Sequence, residues 1–195
     1  MAISFPLDTP TTIGMESIEI RAVNAVATSQ SPFTYKQQIV AHQGQRWEAS
    51  VSIPPVRRGL AASWKAFLTS LKGQQGTFLL GDPDYATPRG TVSACTLSGS
   101  AGDETVTVVM TGSLLAGDYI QLGSGSTAKL HQVLKDQTGN GELEIWPALR
   151  ADYTSATVVF NNAKGVFRLS SNSTSWSINS SSAYGISFEA VEAIT

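Results

Sequence analysis

Residues 45–83 read QRWEASVSIPPVRRGLAASWKAFLTSLKGQQGTFLLGDP, and the order of elements in this stretch decides the fold. The first part alternates. Trp47, Ala49, Val51 and Ile53 fall on one side, and Glu48, Ser50 and Ser52 on the other. A period of two with one apolar side marks a half-buried strand. Pro54-Pro55 is read as its end. Residues 58–72 then predict the one helix of the chain. Leu60, Trp64, Phe67, Leu68 and Leu71 form an apolar stripe, with Ala61, Ala62 and Ala66 as good helix formers. Gly73 stands where a left-handed C-terminal residue is expected. A buried strand of Thr77, Phe78, Leu79 and Leu80 follows. It runs into Asp82, Pro83, Asp84, Pro88, Arg89 and Gly90, where no regular element continues.

Working outward, SIEIRAV (17–23) and FTYKQQIVAH (33–42) read as strands, with Ser31-Pro32 as the turn signal before the second. HQGQ (42–45) is read as a tight hairpin around Gly44. After residue 91 the texture changes to short strands at ~8–12 residue spacing: ETVTVVM (104–110), DYIQL (118–122), KLHQVLKD (129–136), ELEIWP (142–147) and ATVVF (156–160). The segments between them, TGSLLAG, GSGST and QTGNG, are turns. This spacing suits a small barrel. Long alternation returns in GVFRLSSNSTSWSINSSSAYGISFEAVEAI, with NSSSAYG as a hairpin turn. The fold class expected is mainly β: a sandwich or split barrel with one amphipathic helix, carrying an inserted small barrel. Residues 1–91 and 164–195 make the first domain and 92–163 the insertion. The Pro/Asp/Gly knot marks the exit from the first domain.

Charged residues are 14% of the 195, against roughly 25% in typical soluble domains, and the net charge is −2. Arg57-Arg58 is the one basic cluster, too little for a phosphate-tracking groove, so no nucleic-acid recognition is expected. Low charge suits faces that meet other subunits, because an unpaired buried charge costs several kcal/mol, roughly. The start MAISFPLDTP lacks the pattern of a signal peptide, and no stretch approaches the ~20 apolar residues of a membrane span. Assembly in the cytoplasm without membrane insertion is the expectation.

Chemistry is sparse. Cys95 with His42 or His131 is the one conceivable nucleophilic pair, and the surrounding SACTLSG favours a plain half-buried thiol. Asp82 and Asp84 flank Pro83, which reads as an Asx-type turn before it reads as a calcium loop. GSGST lacks the Lys-Ser/Thr and the helix of a phosphate loop. Trp47, Trp64, Trp146 and Trp176 read as core before they read as a sugar platform. No catalytic, metal or cofactor residue is assigned. Arg57, Arg58, Arg89 and Arg150, at element ends, are the candidates for a subunit or domain interface.

The element order resembles the distal tail proteins and related minor tail proteins of long-tailed phages and gene transfer agents. The stretch from Trp47 to Pro83, then LLAGDYIQLG with KLHQVLKD and ELEIWPALR, and finally the closing strands carry the resemblance. The resemblance implies a structural virion protein at the tail tip. Its first domain would form a hexameric ring joining the tail tube to the baseplate hub and other tail-tip proteins, with an OB-like barrel projecting outward. A tail tube or tail terminator protein, or a glycan-binding module, are the alternatives.

Overall fold

The computed structural model describes residues 3–194; residues 1, 2 and 195, which the sequence reading places in the first domain, lie outside it. In chain order, β1 (Leu7–Asp8), β2 (Ser17–Gln30), β3 (Gln37–Arg57), α1 (Arg58–Ser70) and β4 (Phe78–Leu80) come first. The middle of the chain supplies β5 (Ala94–Gly99), β6 (Thr105–Thr111), β7 (Ser113–Leu114), β8 (Tyr119–Leu122), β9 (Lys129–Val133), β10 (Gln137–Thr138), β11 (Gly141–Trp146) and β12 (Tyr153–Val159). β13 (Gly165–Leu169), β14 (Trp176–Ile178) and β15 (Ala183–Glu192) close it. The protein is mainly β, with one α-helix among the described residues.

The outer segments build one seven-stranded sheet in the order β1-β4-β13-β15-β3-β2, with β14 beside β15. β1 and β4 pair in parallel, and the other pairs are antiparallel. α1 lies on one face. Trp64 and Phe67 meet Phe188 and Phe78 at ring separations of 6.0 and 5.4 Å. Ala49, Val51 and Ile53 join them from β3, as the alternation predicts. Each fully buried large apolar side chain here contributes about 1.5–3 kcal/mol.

Leu60 is 48% exposed. It sits in the first turn of α1, and the buried positions of the helix begin at Ala61. The helix ends at Ser70, and the first left-handed residue is Lys72 (φ 51°), followed by Gly73 (φ 68°) in a short 3-10 turn. β3 does not stop at Pro54-Pro55 but runs on to Arg57. Pairing with β2 has ended at Ser52, and the register against β15 shifts between Ile53 and Val56. The prolines therefore lie where no ladder N–H is required.

HQGQ is not a hairpin. Residues 37–57 form one strand, because both halves pair with β2, from Ser17↔Ser52 to Gln30↔Gln37. Between Asn24↔Gln45 and Val26↔Ala41 the register shifts, so residues 42–44 stand opposite Ala25 alone. Gly44 permits this bulge: a Cβ there would lie 2.9 Å from the Cβ of Ala25. The true turn is Ser31–Lys36, closed by Ser31 N–H to the Lys36 carbonyl (2.9 Å), with Tyr35 at φ 56°, so the strand expected from Phe33 begins only at Gln37.

Between β4 and β13 the chain closes a barrel in the order β11-β6-β5-β12-β8-β9. It has six strands, one more than the five of an OB-fold. Leu97, Val108, Ile120, Leu122, Leu143 and Ile145 fill a core distinct from that under α1. β5 is a strand that the sequence reading missed: its small residues give weak β propensity, although Cys95 and Leu97 alternate inward. Entry and exit lie side by side, with the Asn162 N–H donating to the Ala86 carbonyl (3.0 Å). The Pro/Asp/Gly knot is held by Asp118, fully buried, whose carboxylate accepts from the Arg89 N–H (2.9 Å) and the Leu115 N–H (2.9 Å). Asp82 caps the Asp84 N–H at 3.0 Å, as an Asx turn does.

Candidate functional site

Beyond the bulge, β2 and β3 leave the sheet as a two-stranded arm. Every residue from 24 to 44 except Ser31 is exposed. Among the described residues no other strand pairs with either edge of the arm. Val26 (52%), Ile39 (62%) and Val40 (46%) are exposed along it, and Phe33 (92%) and Tyr35 (74%) stand near its tip. Lys36 is its one formally charged residue. A two-stranded ribbon in water is marginal by itself, and open strand edges are templates for pairing. Apolar side chains at this exposure on such a ribbon fit a surface that another chain covers.

The root of the arm meets the barrel. Trp146 Nε1 donates to Asn24 Oδ1 (2.8 Å), and the Ala148 N–H donates to Gln45 Oε1 (2.7 Å). Gln45 Nε2 donates to Glu104 Oε1 (2.6 Å), and Arg150 Nη2 donates to the Gln45 carbonyl. A cleft of about 470 Å³ opens between arm root and barrel, lined by His42, Gln43, Gly102, Glu104, Ala148 and Arg150.

Beneath this contact lies a buried charged group. Arg150 pairs with Glu192 at 3.0 Å, their side chains 13% and 3% exposed. Glu192 Oε2 also accepts from the Trp47 N–H (3.1 Å). Lys129 donates to the Ala193 carbonyl (3.0 Å), and burial pushes its pKa down. His131 is fully buried, with Nδ1 2.7 Å from the Pro147 carbonyl. A carbonyl can only accept, so Nδ1 carries the proton of the neutral ring. Burial, and then the positive charges of Arg150 and Lys129, lower its pKa to about 4 against the carbonyl bond. Among the described residues His131 Nε2, Arg150 Nε and Glu192 Oε1 find no hydrogen-bond partner. Trp47 completes the junction: its indole N–H donates to the Leu130 carbonyl (2.9 Å), and its ring stands edge-on to Trp146 at 4.4 Å.

The interface candidates therefore separate. Arg150 joins barrel to sheet. Arg89 is 67% exposed and ties the entry segment to the barrel through the Ala116 carbonyl (2.8 Å). Arg57 and Arg58 are exposed at the β3–α1 junction. Cys95 is 5% exposed inside the barrel, and burial pushes its thiol up to about 11. Its hydrogen bond goes to the Thr96 carbonyl, and that of His131 to Pro147, so no bond links thiol and imidazole. Trp47 and Trp64 are core, Trp146 is half-buried, and Trp176 departs from the core reading at 37% exposed. Trp176 and Tyr184 hold the Lys65 ammonium between them, 4.9 Å from each ring.

Among the described residues no group of three or more His, Cys, Asp or Glu is placed to hold a metal ion, and no helix is long and apolar enough to cross a membrane. The sequence reading missed Glu192 and Lys129 as site residues. Glu192 at an inward position of an alternating strand was the available signal. No protein-family model matches the chain, and no curated protein matches it in sequence.

Proposed function

We propose that the protein is a structural ring component of a phage-like tail tip, its sheet domain assembling with copies of itself into a ring, six-membered by the resemblance, between tail tube and baseplate hub. The observation that carries this reading is the arm. Twenty-one residues with one formal charge project from the domain, with both strand edges open and Phe33 and Tyr35 uncovered. A surface of this kind is stable in water when another chain covers it. An arm that meets a different patch on the next copy makes a head-to-tail contact, and such contacts close into rings when the rotation per subunit divides the circle. The low charge of the strands agrees with extensive subunit contact. The proposed partners are copies of this chain, the tail tube protein and hub components; the proposed place is the virion tail tip after cytoplasmic assembly. The proposed role is architectural rather than enzymatic, with no cofactor.

Mass photometry and negative-stain imaging of the purified chain, alone and with tube protein, test the reading. Rings are expected for the wild type. Phe33→Asp with Tyr35→Asp is expected to leave a folded monomer, because both side chains are already in solvent. A wild type that stays monomeric with or without tube protein, or a double variant that assembles as the wild type does, would refute it.

A further inference from the structure

A two-stranded ribbon that leaves a sheet has no direction of its own. Here it leaves at a bulge, where residues 42–44 face Ala25 alone and the ladder is interrupted. A bulge bends and twists its strand, and an interrupted ladder is the natural place for a hinge. Yet the arm root is gripped. Asn24 and Gln45, the last pair before the bulge, are both bonded to the barrel, through Trp146, Ala148, Glu104 and Arg150. Gln45 is held at its side-chain oxygen, its side-chain nitrogen and its backbone carbonyl. Three of the barrel contacts come from one loop, residues 146–150, and that loop is itself anchored to the sheet through Arg150 and Glu192.

We infer that the inserted barrel is a clamp that aims the arm: its 146–150 loop and Glu104 hold the two root residues and so fix the angle at which the ribbon leaves the sheet. The barrel and the arm are then coupled. A partner that shifts the 146–150 loop changes the direction of the arm, and an arm docked on a neighbour holds the loop in place. The coupling is a free energy shared by two sites and is reciprocal. The amides of Gln45 and Asn24 suit this role because each presents a donor and an acceptor on a short stem, without a charge to bury. The use of the clamp in assembly rests on the ring reading above; the aiming of the arm does not.

The test uses the full chain with nitroxide labels at Phe33→Cys, near the arm tip, and Thr107→Cys, on the outer face of the barrel. Cys95, 5% exposed, stays in place. Every labelled chain also carries Tyr35→Asp, which with the loss of Phe33 keeps it monomeric, and pulsed dipolar spectroscopy reads the width of the label-to-label distance distribution. One narrow distribution is expected with Asn24 and Gln45 intact. Asn24→Ala with Gln45→Ala is expected to broaden it at least twofold. The backbone bond from Arg150 to residue 45 remains, so a free swing is not expected. Gln38→Ala, on the exposed arm beyond the bulge, is expected to leave the width unchanged. Should the double variant fold poorly, Asn24→Ala alone removes one exposed contact and is expected to broaden the distribution by a smaller factor. Unchanged width in the root variants, equal broadening by Gln38→Ala, or a broad distribution in the intact chain would overturn the clamp. Imaging unlabelled chains with Phe33 and Thr107 intact, with and without the root substitutions, in the presence of tube protein separates the two ideas. A chain that never assembles but shows the narrow-to-broad change sinks the ring and keeps the clamp. Rings formed equally well by a chain with a broadened arm would overturn the role of the clamp in assembly.

Discussion

His131 is expected to make the protein sensitive to mild acid, and the size of the effect follows from its surroundings. The ring is fully buried and neutral, with Nδ1–H on the Pro147 carbonyl. Its pKa falls from 6.5 to about 4, because burial and then the charges of Arg150 and Lys129 oppose a further positive charge. Glu192 is the acid of the same cluster, joined to Arg150. In the unfolded chain the imidazole titrates near its ordinary value. Between about pH 6.5 and 4 the unfolded state therefore holds a proton that the folded state lacks. Stability rises with pH wherever the unfolded state binds more protons, so it is full above about 6.5 and is lost as the pH falls toward 4. The interval is about 2.5 pH units at about 1.4 kcal/mol each, or about 3–4 kcal/mol in all, of which about 3 falls between pH 7 and 4. That is a large share of the 5–15 kcal/mol typical of a domain. The assay is urea unfolding followed by tryptophan fluorescence at pH 7, 6, 5 and 4, on the wild type and on His131→Asn. The asparagine amide can keep a donor toward Pro147 but does not titrate. The wild type is expected to lose about 3 kcal/mol more than the variant across this range. Equal slopes in the two proteins would refute the reading that His131 is held neutral in the folded state.

Trp64→Ala empties the largest fully buried position under α1 and is expected to cost about 3–5 kcal/mol, read as a lower urea midpoint; a loss under 1 kcal/mol would show that the helix does not pack as described. Residues 86–162 expressed alone are expected to fold, since the barrel has its own closed core and its ends are joined by the bond from Asn162 to Ala86, with dispersed amide NMR signals as the readout; a collapsed spectrum would show that the barrel depends on the sheet. Cys95, at 5% exposure and a pKa of about 11, is expected to resist a thiol reagent at pH 8 until the protein is denatured; rapid labelling of the native chain would contradict a sealed barrel. Arg150→Ala strands the Glu192 carboxylate, 3% exposed, and is expected to cost about 3–5 kcal/mol; Arg150→Met with Glu192→Leu is expected to recover most of that in the same urea assay, and a double variant as weak as the single would count against a buried pair.

Local periodicity by itself determined the mainly β class, the one helix, the inward set Trp47, Ala49, Val51 and Ile53, and the change of texture where the barrel lies. These are properties of neighbours in the chain, since a period of 2 or 3.6 is written in adjacent residues. Even the Asx turn at Asp82 is local, a side chain reaching an amide two residues on. The tertiary structure decided the rest. Gly44 in HQGQ suits a hairpin and a bulge equally well, and only the presence of β2 beside both halves of β3 selects the bulge. FTYKQQIVAH reads as a strand, yet its first four residues lie in the Ser31–Lys36 turn and the rest projects uncovered, because cover depends on which elements stand opposite. Glu192 and Arg150 are 42 residues apart, and neither has a local reason to be buried. They meet because the barrel folds back onto the sheet, and a pair drawn together by packing leaves no period to read.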